Sequence, residues 1–192
     1  MNTSKSINFR FSALLLITVA MGLTRLFTAS CATPLANFTP IGSMALFGGH
    51  YFSEKWKAYL LPLMTLWISD LFLNYFVYYH KLVFFYDGFY WTYGAFALAT
   101  LIGSAIKKVN FKNVIMAAVA AALVHWIITD FGVWMDGRLY PKTTAGLIAC
   151  YVAAIPYMKN MLAGNLLFSA VSFGLFEWAQ QKYPRLQLIS VQ

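Results

Sequence analysis

Four ionisable side chains sit inside apolar runs: Arg25, Asp70, Asp130 and Glu177. A charge among hydrocarbon side chains costs roughly 2.5–3.5 kcal/mol on insertion scales, so it is kept for a partner or a ligand. Asp70 carries the sharpest signal. Asn74 follows one turn later and Trp67 precedes it by three residues, which puts indole, carboxylate and carboxamide in one stripe on a helix. That stripe serves as a clamp, with Asp70 paired to Arg25, or as a ligand contact, and the two uses are compatible. Arg25 in turn either snorkels to an interface or faces a cavity. Glu177 lies in the last turn of its run, where it reaches water without a further role.

A second group lies further on. His125 and Thr129 share a helical face at i, i+4, and Trp126 and Asp130 share the adjacent one. Asn165 and Ser169 repeat the spacing in the last run, while His50 reads as structural. Catalytic constellations are missing: there is no GxSxG, no HExxH, no GxxxxGK[ST], and no paired His/Cys spacing for zinc. Cys31 and Cys150 show no CxxC pattern and read as free thiols. The expectation is therefore a protein that is not an enzyme, with no cofactor and no metal. Neither the nucleophile nor the lateral opening that a lipid-acting enzyme needs is indicated.

The elements that carry these residues follow from composition. Hydrophobic residues make up 60% of the 192 and charged residues 10%, with mean hydropathy +0.64. Soluble domains carry about 25% charged residues to cover their surface, so the solvent over most of this chain is lipid. Apolar segments fall at 11–28, 38–53, 58–79, 89–106, 113–131, 143–158 and 160–179. The dividers are Thr33-Pro34 with Asn37, then 53–57, His80-Lys81, 107–112 and, between the last two segments, only Lys159-Asn160. The fold class expected is all-α: a polytopic membrane helix bundle of six transmembrane helices. A re-entrant or interfacial helix at 143–158 accompanies them. Residues 1–192 form a single integral membrane domain, and the run 11–23 is a retained first helix rather than a cleaved signal.

Charge sets the orientation. Lys5, Arg10, Lys55, Lys57, Lys107, Lys108, Lys112, Lys182 and Arg185 fall on one side; Lys81, Arg138, Lys142 and Lys159 fall on the other. By the positive-inside rule both termini are cytoplasmic and the membrane is a bacterial inner membrane. The formal charge of +8 thus reflects topology, and no basic face for nucleic acid emerges. Aromatic residues, 18% of the chain, crowd the outer side at Tyr78, Tyr79, Tyr86, Trp91, Trp134 and Tyr140. An outward-facing pocket follows, walled by Arg25, Asp70, Asn74, His125, Asp130 and Asn165. Aromatic loops carrying Trp91, Trp134 and Tyr140 cap it. Apolar walls with a few fixed polar groups suit a small flat solute.

Several stretches carry a resemblance: Asn37 through Gly49 (NFTPIGSMALFGG), Ser69-Asp70-Leu71, Asp130-Phe131-Gly132-Val133-Trp134, Tyr140-Pro141-Lys142-Thr143, Gly146-Leu147 and Ala154-Ile155-Pro156. The chain resembles, from about Arg25 to Asn165, a family of small bacterial membrane proteins labelled only as transport proteins. That family is similar to the substrate-binding S components of energy-coupling-factor (ECF) vitamin transporters. The resemblance implies a six-helix bundle that takes a micronutrient from the outer side and is toppled by a scaffold and ATPase module. S components often present AxxxA on the first helix to that scaffold. Here Ala13 and Ala20 are seven apart, and Ala118 and Ala122 on the fifth run have the spacing in a different place. Work with an ATPase module and work alone both remain open. Two other functions stand beside transport: a membrane enzyme using Asp70, His125 and Asp130 for acid–base chemistry, and a non-transporting accessory subunit.

Overall fold

The computed structural model describes residues 9–30 and 35–187, so Lys5, Cys31 and the Thr33-Pro34 divider lie outside the described residues. Among the described residues every regular element is helical: α1 Phe9–Ser30, α2 Ile41–Tyr51, α3 Lys55–Leu73, α4 Phe89–Ser104, α5 Phe111–Asp136 and α6 Thr144–Lys182. Leu73 leads directly into a π-helical turn, Asn74–Tyr78, closed by Tyr79 N–H to the Asn74 carbonyl at 2.9 Å. Four helical segments are long and apolar enough to cross a membrane: Phe9–Thr28, Lys55–Tyr78, Phe111–Asp136 and Thr144–Lys182.

The other two helices are shorter than the expected spans. With 16 residues, α4 measures about 24 Å, and α2 with 11 measures about 16 Å, against a hydrocarbon core of roughly 30 Å. The reason at α2 lies in its leading sequence. Asn37 adopts a left-handed φ of 67°, and Phe38 N–H bonds back to Leu35 O, so residues 35–40 form irregular backbone that precedes the helix. Irregular backbone within a bundle needs partners. Asn160 Nδ2 donates to Ala36 O at 2.9 Å, and Gly164 lets the Thr39 backbone lie directly on α6.

Apolar on every face, α2 is buried on nearly every face, with only His50 half-buried. Its backbone meets α4 closely. A Cβ on Gly49 would stand 2.0 Å from Thr100 O, and one on Gly103 2.2 Å from Leu46 O. Small residues allow such approach, and dispersion between backbones replaces the hydrophobic drive that lipid does not supply. Phe47, Tyr51, Phe173 and Phe176 complete the core there, Phe47 meeting Phe173 edge-on at 5.6 Å.

One expectation needs correction. No separate re-entrant or interfacial helix occupies 143–158. That segment and 160–179 form one 39-residue helix, α6, about 58 Å long. Thr143 caps its start, accepting from Gly146 N–H at 3.1 Å, and Pro156 is accommodated inside it. Lys159-Asn160 look like a divider by polarity, yet neither breaks a helix. Asn160 turns inward to the Ala36 carbonyl, and polarity there marks a contact rather than a loop.

The bundle has two distinct ends. At the basic end Arg10 bonds Gln180 Oε1 at 2.7 Å and Leu186 O at 2.6 Å, so the first and last helices meet. Tyr51 donates to Glu177 there at 2.5 Å, which gives that carboxylate a partner from α2. The aromatic end gathers the α3–α4 loop and the α5–α6 loop.

Candidate functional site

Three helices bring the sharpest sequence signal together. Arg25 on α1 pairs with Asp70 on α3, Nη2 to Oδ1 at 2.6 Å, and its Nη1 donates to Ser69 Oγ at 2.5 Å. Tyr93 on α4 donates to the other oxygen, Oδ2, at 2.8 Å. The side chains of Arg25 and Asp70 are 15% and 7% exposed, so this network is closed and both carboxylate oxygens are occupied. Ser69 and Tyr93 were absent from the expected set. Ser69 could have been read from its place beside Asp70, but Tyr93 carried no signal beyond its helix.

Asn74 starts the π-helical turn and donates to Val83 O at 3.0 Å, which ties the 79–88 loop down onto α3. Beyond that loop, at the aromatic end, a cavity of about 550 Å³ opens between the start of α4 and the end of α5. Tyr86, Tyr90 and Trp91 line one side; Thr129, Gly132, Asp136 and Arg138 line the other. Gly132 is what lets Trp91 in. A Cβ at that position would stand 2.4 Å from the indole Cδ1. Phe131 meets the Trp91 ring edge-on at 5.6 Å and fixes it from below.

The rim is charged. Arg138 reaches from beyond α5 to Asp87 at 2.5 Å through Nη2 and to Asp136 at 2.6 Å through Nε. These two carboxylates, Asp87 first, hold its guanidinium more firmly protonated than usual. Gly88 and Gly137 flank this strap with φ of 77° and 72°, backbone that side chains rarely adopt, and Gly137 closes α5 with N–H to Trp134 O at 3.1 Å. Burial pushes the Tyr86 phenol up to about 12, so it stays a neutral hydrogen-bonding group at any physiological pH.

The structure thus divides the expected pocket residues. Of the expected set only Trp91 lines the cavity. His125 packs on Phe96, ring centroids 4.9 Å apart, and its backbone carbonyl accepts from Thr129 at 2.7 Å. Asp130 lies on α5 where Cys150 of α6 donates to its backbone carbonyl, and no hydrogen bond or ion pair reaches its carboxylate among the described residues. Trp134 donates to Pro141 O at 3.1 Å and, with half-buried Tyr140, shapes the α5–α6 loop. Asn165 is fully buried at the bundle centre, Nδ2 to Ala118 O at 3.3 Å, with Oδ1 set against Gly42 and unpartnered. Arg138 entered the sequence analysis only as an outer-side charge, and Asp87 and Asp136 did not enter it; their position beside Gly88 and Gly137 was the signal that could have marked them.

Elsewhere, an apolar cleft of about 670 Å³ opens sideways between α3 and α4, lined by Tyr59, Trp67, Phe85 and Tyr93 among others. The sequence had indicated no lateral opening. Among the described residues no three His, Cys, Asp or Glu side chains gather to hold a metal ion.

The chain belongs to the family of unknown function DUF6580, which matches residues 5–186. No curated protein and no solved structure matches it.

Proposed function

We propose that this DUF6580 chain is the substrate-binding subunit of a membrane transporter, similar to the S components of ECF vitamin transporters. It takes up a small micronutrient, a vitamin or precursor, from the outer side. The observation that carries the reading is the cavity at the aromatic end, about 550 Å³ with three aromatic rings and a charged rim. That size and lining fit a small solute, since ligand pockets run from roughly 300 to 1,000 Å³ with mostly apolar walls.

The membrane frame goes with it. Counting α4, and α2 with the irregular segment before it, as crossings gives six passes through a bacterial inner membrane with both termini cytoplasmic. Lys and Arg concentrated at the end where Arg10 meets Gln180 and Leu186 support that side as the inner one. An enzyme built on Asp70, His125 and Asp130 has less support. Asp70 is occupied by Arg25 and Tyr93, His125 packs on Phe96, and none of the three lines the cavity at the aromatic end.

Native mass spectrometry of the purified protein tests the proposal. A single small molecule should co-purify with the wild-type chain, bind saturably on re-addition, and be lost from Trp91→Ala. Conversion of that molecule to product by the protein alone would establish the enzyme instead. Stoichiometric capture of a larger membrane complex with no small ligand would establish the accessory subunit.

A further inference from the structure

The cavity's charged groups are unevenly divided between the two signs. Two carboxylates, Asp87 and Asp136, stand against one guanidinium, Arg138, which leaves the lining at −1. Arg138 turns its Nε and Nη2 donors onto those same carboxylates at 2.6 and 2.5 Å, so its single positive charge is already offset by two negative ones, while its Nη1 donors are outside both pairs. Each carboxylate keeps one oxygen outside that ion pair. Thr129 donates its hydroxyl hydrogen to His125 O, which leaves only acceptor lone pairs toward the cavity. Lys142 lays its stem over Gly137 but is not among the lining residues. Around these acceptors stand the rings of Tyr86, Tyr90 and Trp91, whose faces attract cations.

Resting on the transporter reading, we infer that this pocket selects a flat organic cation, a protonated or quaternised heteroaromatic ring, over neutral and anionic analogues of the same shape. The acceptors at the rim and the aromatic wall act on the same ligand from two sides. The rim is exposed, with Arg138 and Asp87 at 63% and 83%, so salt should weaken the selection.

Three bicyclic probes of one shape test this on the full chain in detergent: 1-methylquinolinium, quinoline and quinoline-2-carboxylate, titrated calorimetrically at neutral pH. The cation should bind about tenfold tighter than quinoline, as expected for one exposed cation–π contact together with one exposed ion pair, and the carboxylate should bind weakest. The variant Asp87→Asn with Asp136→Asn should shrink the preference for the cation to about threefold or less, because the ion pair is removed and only the cation–π contact remains. Tightest binding by the carboxylate, lost in Arg138→Gln, would overturn the inference and make this an anion site. Equal binding of all three, each abolished by Trp91→Ala, would sink the charge selection yet keep the pocket. No binding by any probe, together with no co-purified molecule, would sink the pocket as well.

Discussion

Replacing Asp70 with Asn separates the two roles that its sequence context left open. In the structure its Oδ1 lies 2.6 Å from Arg25 Nη2 and its Oδ2 accepts from Tyr93 at 2.8 Å, with 7% of the side chain exposed. Asn keeps the shape but removes the charge that balances a guanidinium only 15% exposed. Breaking a buried pair by removing one partner costs about 3–5 kcal/mol, because the other charge stays behind. For a chain of this length each kcal/mol moves the melting temperature by roughly 2–4 °C. Thermal unfolding in detergent should therefore fall by on the order of 10 °C in Asp70→Asn. The double variant Arg25→Met with Asp70→Leu should regain most of it, since well-packed apolar replacements of a buried pair are often neutral or stabilising. Affinity for the co-purified ligand should stay near wild type in the double variant, because the closed network leaves neither oxygen of Asp70 to the cavity. A single variant that melts like wild type but loses the ligand would refute this reasoning and make Asp70 a contact. A double variant as unstable as the single one would show that the ion pair is not what Asp70 supplies.

The other expectations are shorter. Asp130→Asn should leave the melting temperature unchanged or raised, because its carboxylate has no partner to lose; a drop comparable to that of Asp70→Asn in the same assay would reveal one. Gly103→Ala should cost at least about 1–3 kcal/mol, since its Cβ would meet the Leu46 backbone at 2.2 Å, and expression of folded monomer on size exclusion reads it. The Tyr86 phenol is raised by burial, so the folded state holds its proton longer. The stability linked to it is present below pH 10 and lost as pH rises toward about 12. The ultraviolet difference between wild type and Tyr86→Phe should accordingly show one phenolate forming near the upper value, not at pH 10.

Hydropathy located α1, α3, α4 and α5 to within a few residues because lipid and protein interior both demand apolar side chains. For the same reason it could not say which helix is central. Nothing in Ile41–Tyr51 distinguishes burial by protein from burial by lipid, and only the pair Gly48-Gly49 hinted at a backbone contact. Lys159-Asn160 misled in the opposite direction, because polarity was read as a loop when the side chain of Asn160 serves a carbonyl of another segment. At the site, the charge inside a span pointed straight to Arg25 and Asp70, since a charge there must have a partner. Exposed charges carry no such requirement. Arg138 therefore passed as a topology marker and Asp87 and Asp136 drew no reading, and only their convergence in space shows the three sharing one rim.

On the transporter reading proposed above, the two ends of the bundle also constrain how uptake would proceed. At the basic end Arg10, Gln180, Tyr51 and Glu177 link the first, second and last helices. Between that end and the aromatic cavity lie α2 and the buried side chains of Phe47, Phe173 and Phe176. Opening a path straight through would separate backbones that touch at Gly49 and Gly103 and empty a core of large aromatic rings, each worth about 3–5 kcal/mol when truncated. Moving the bundle as one body leaves those contacts intact. For the transporter proposed above, inward release is thus cheapest when the bundle reorients in the membrane as one body. Under that proposal such reorientation asks for a partner that holds the tilted state, so the reading favours an energised scaffold over a gate within the chain.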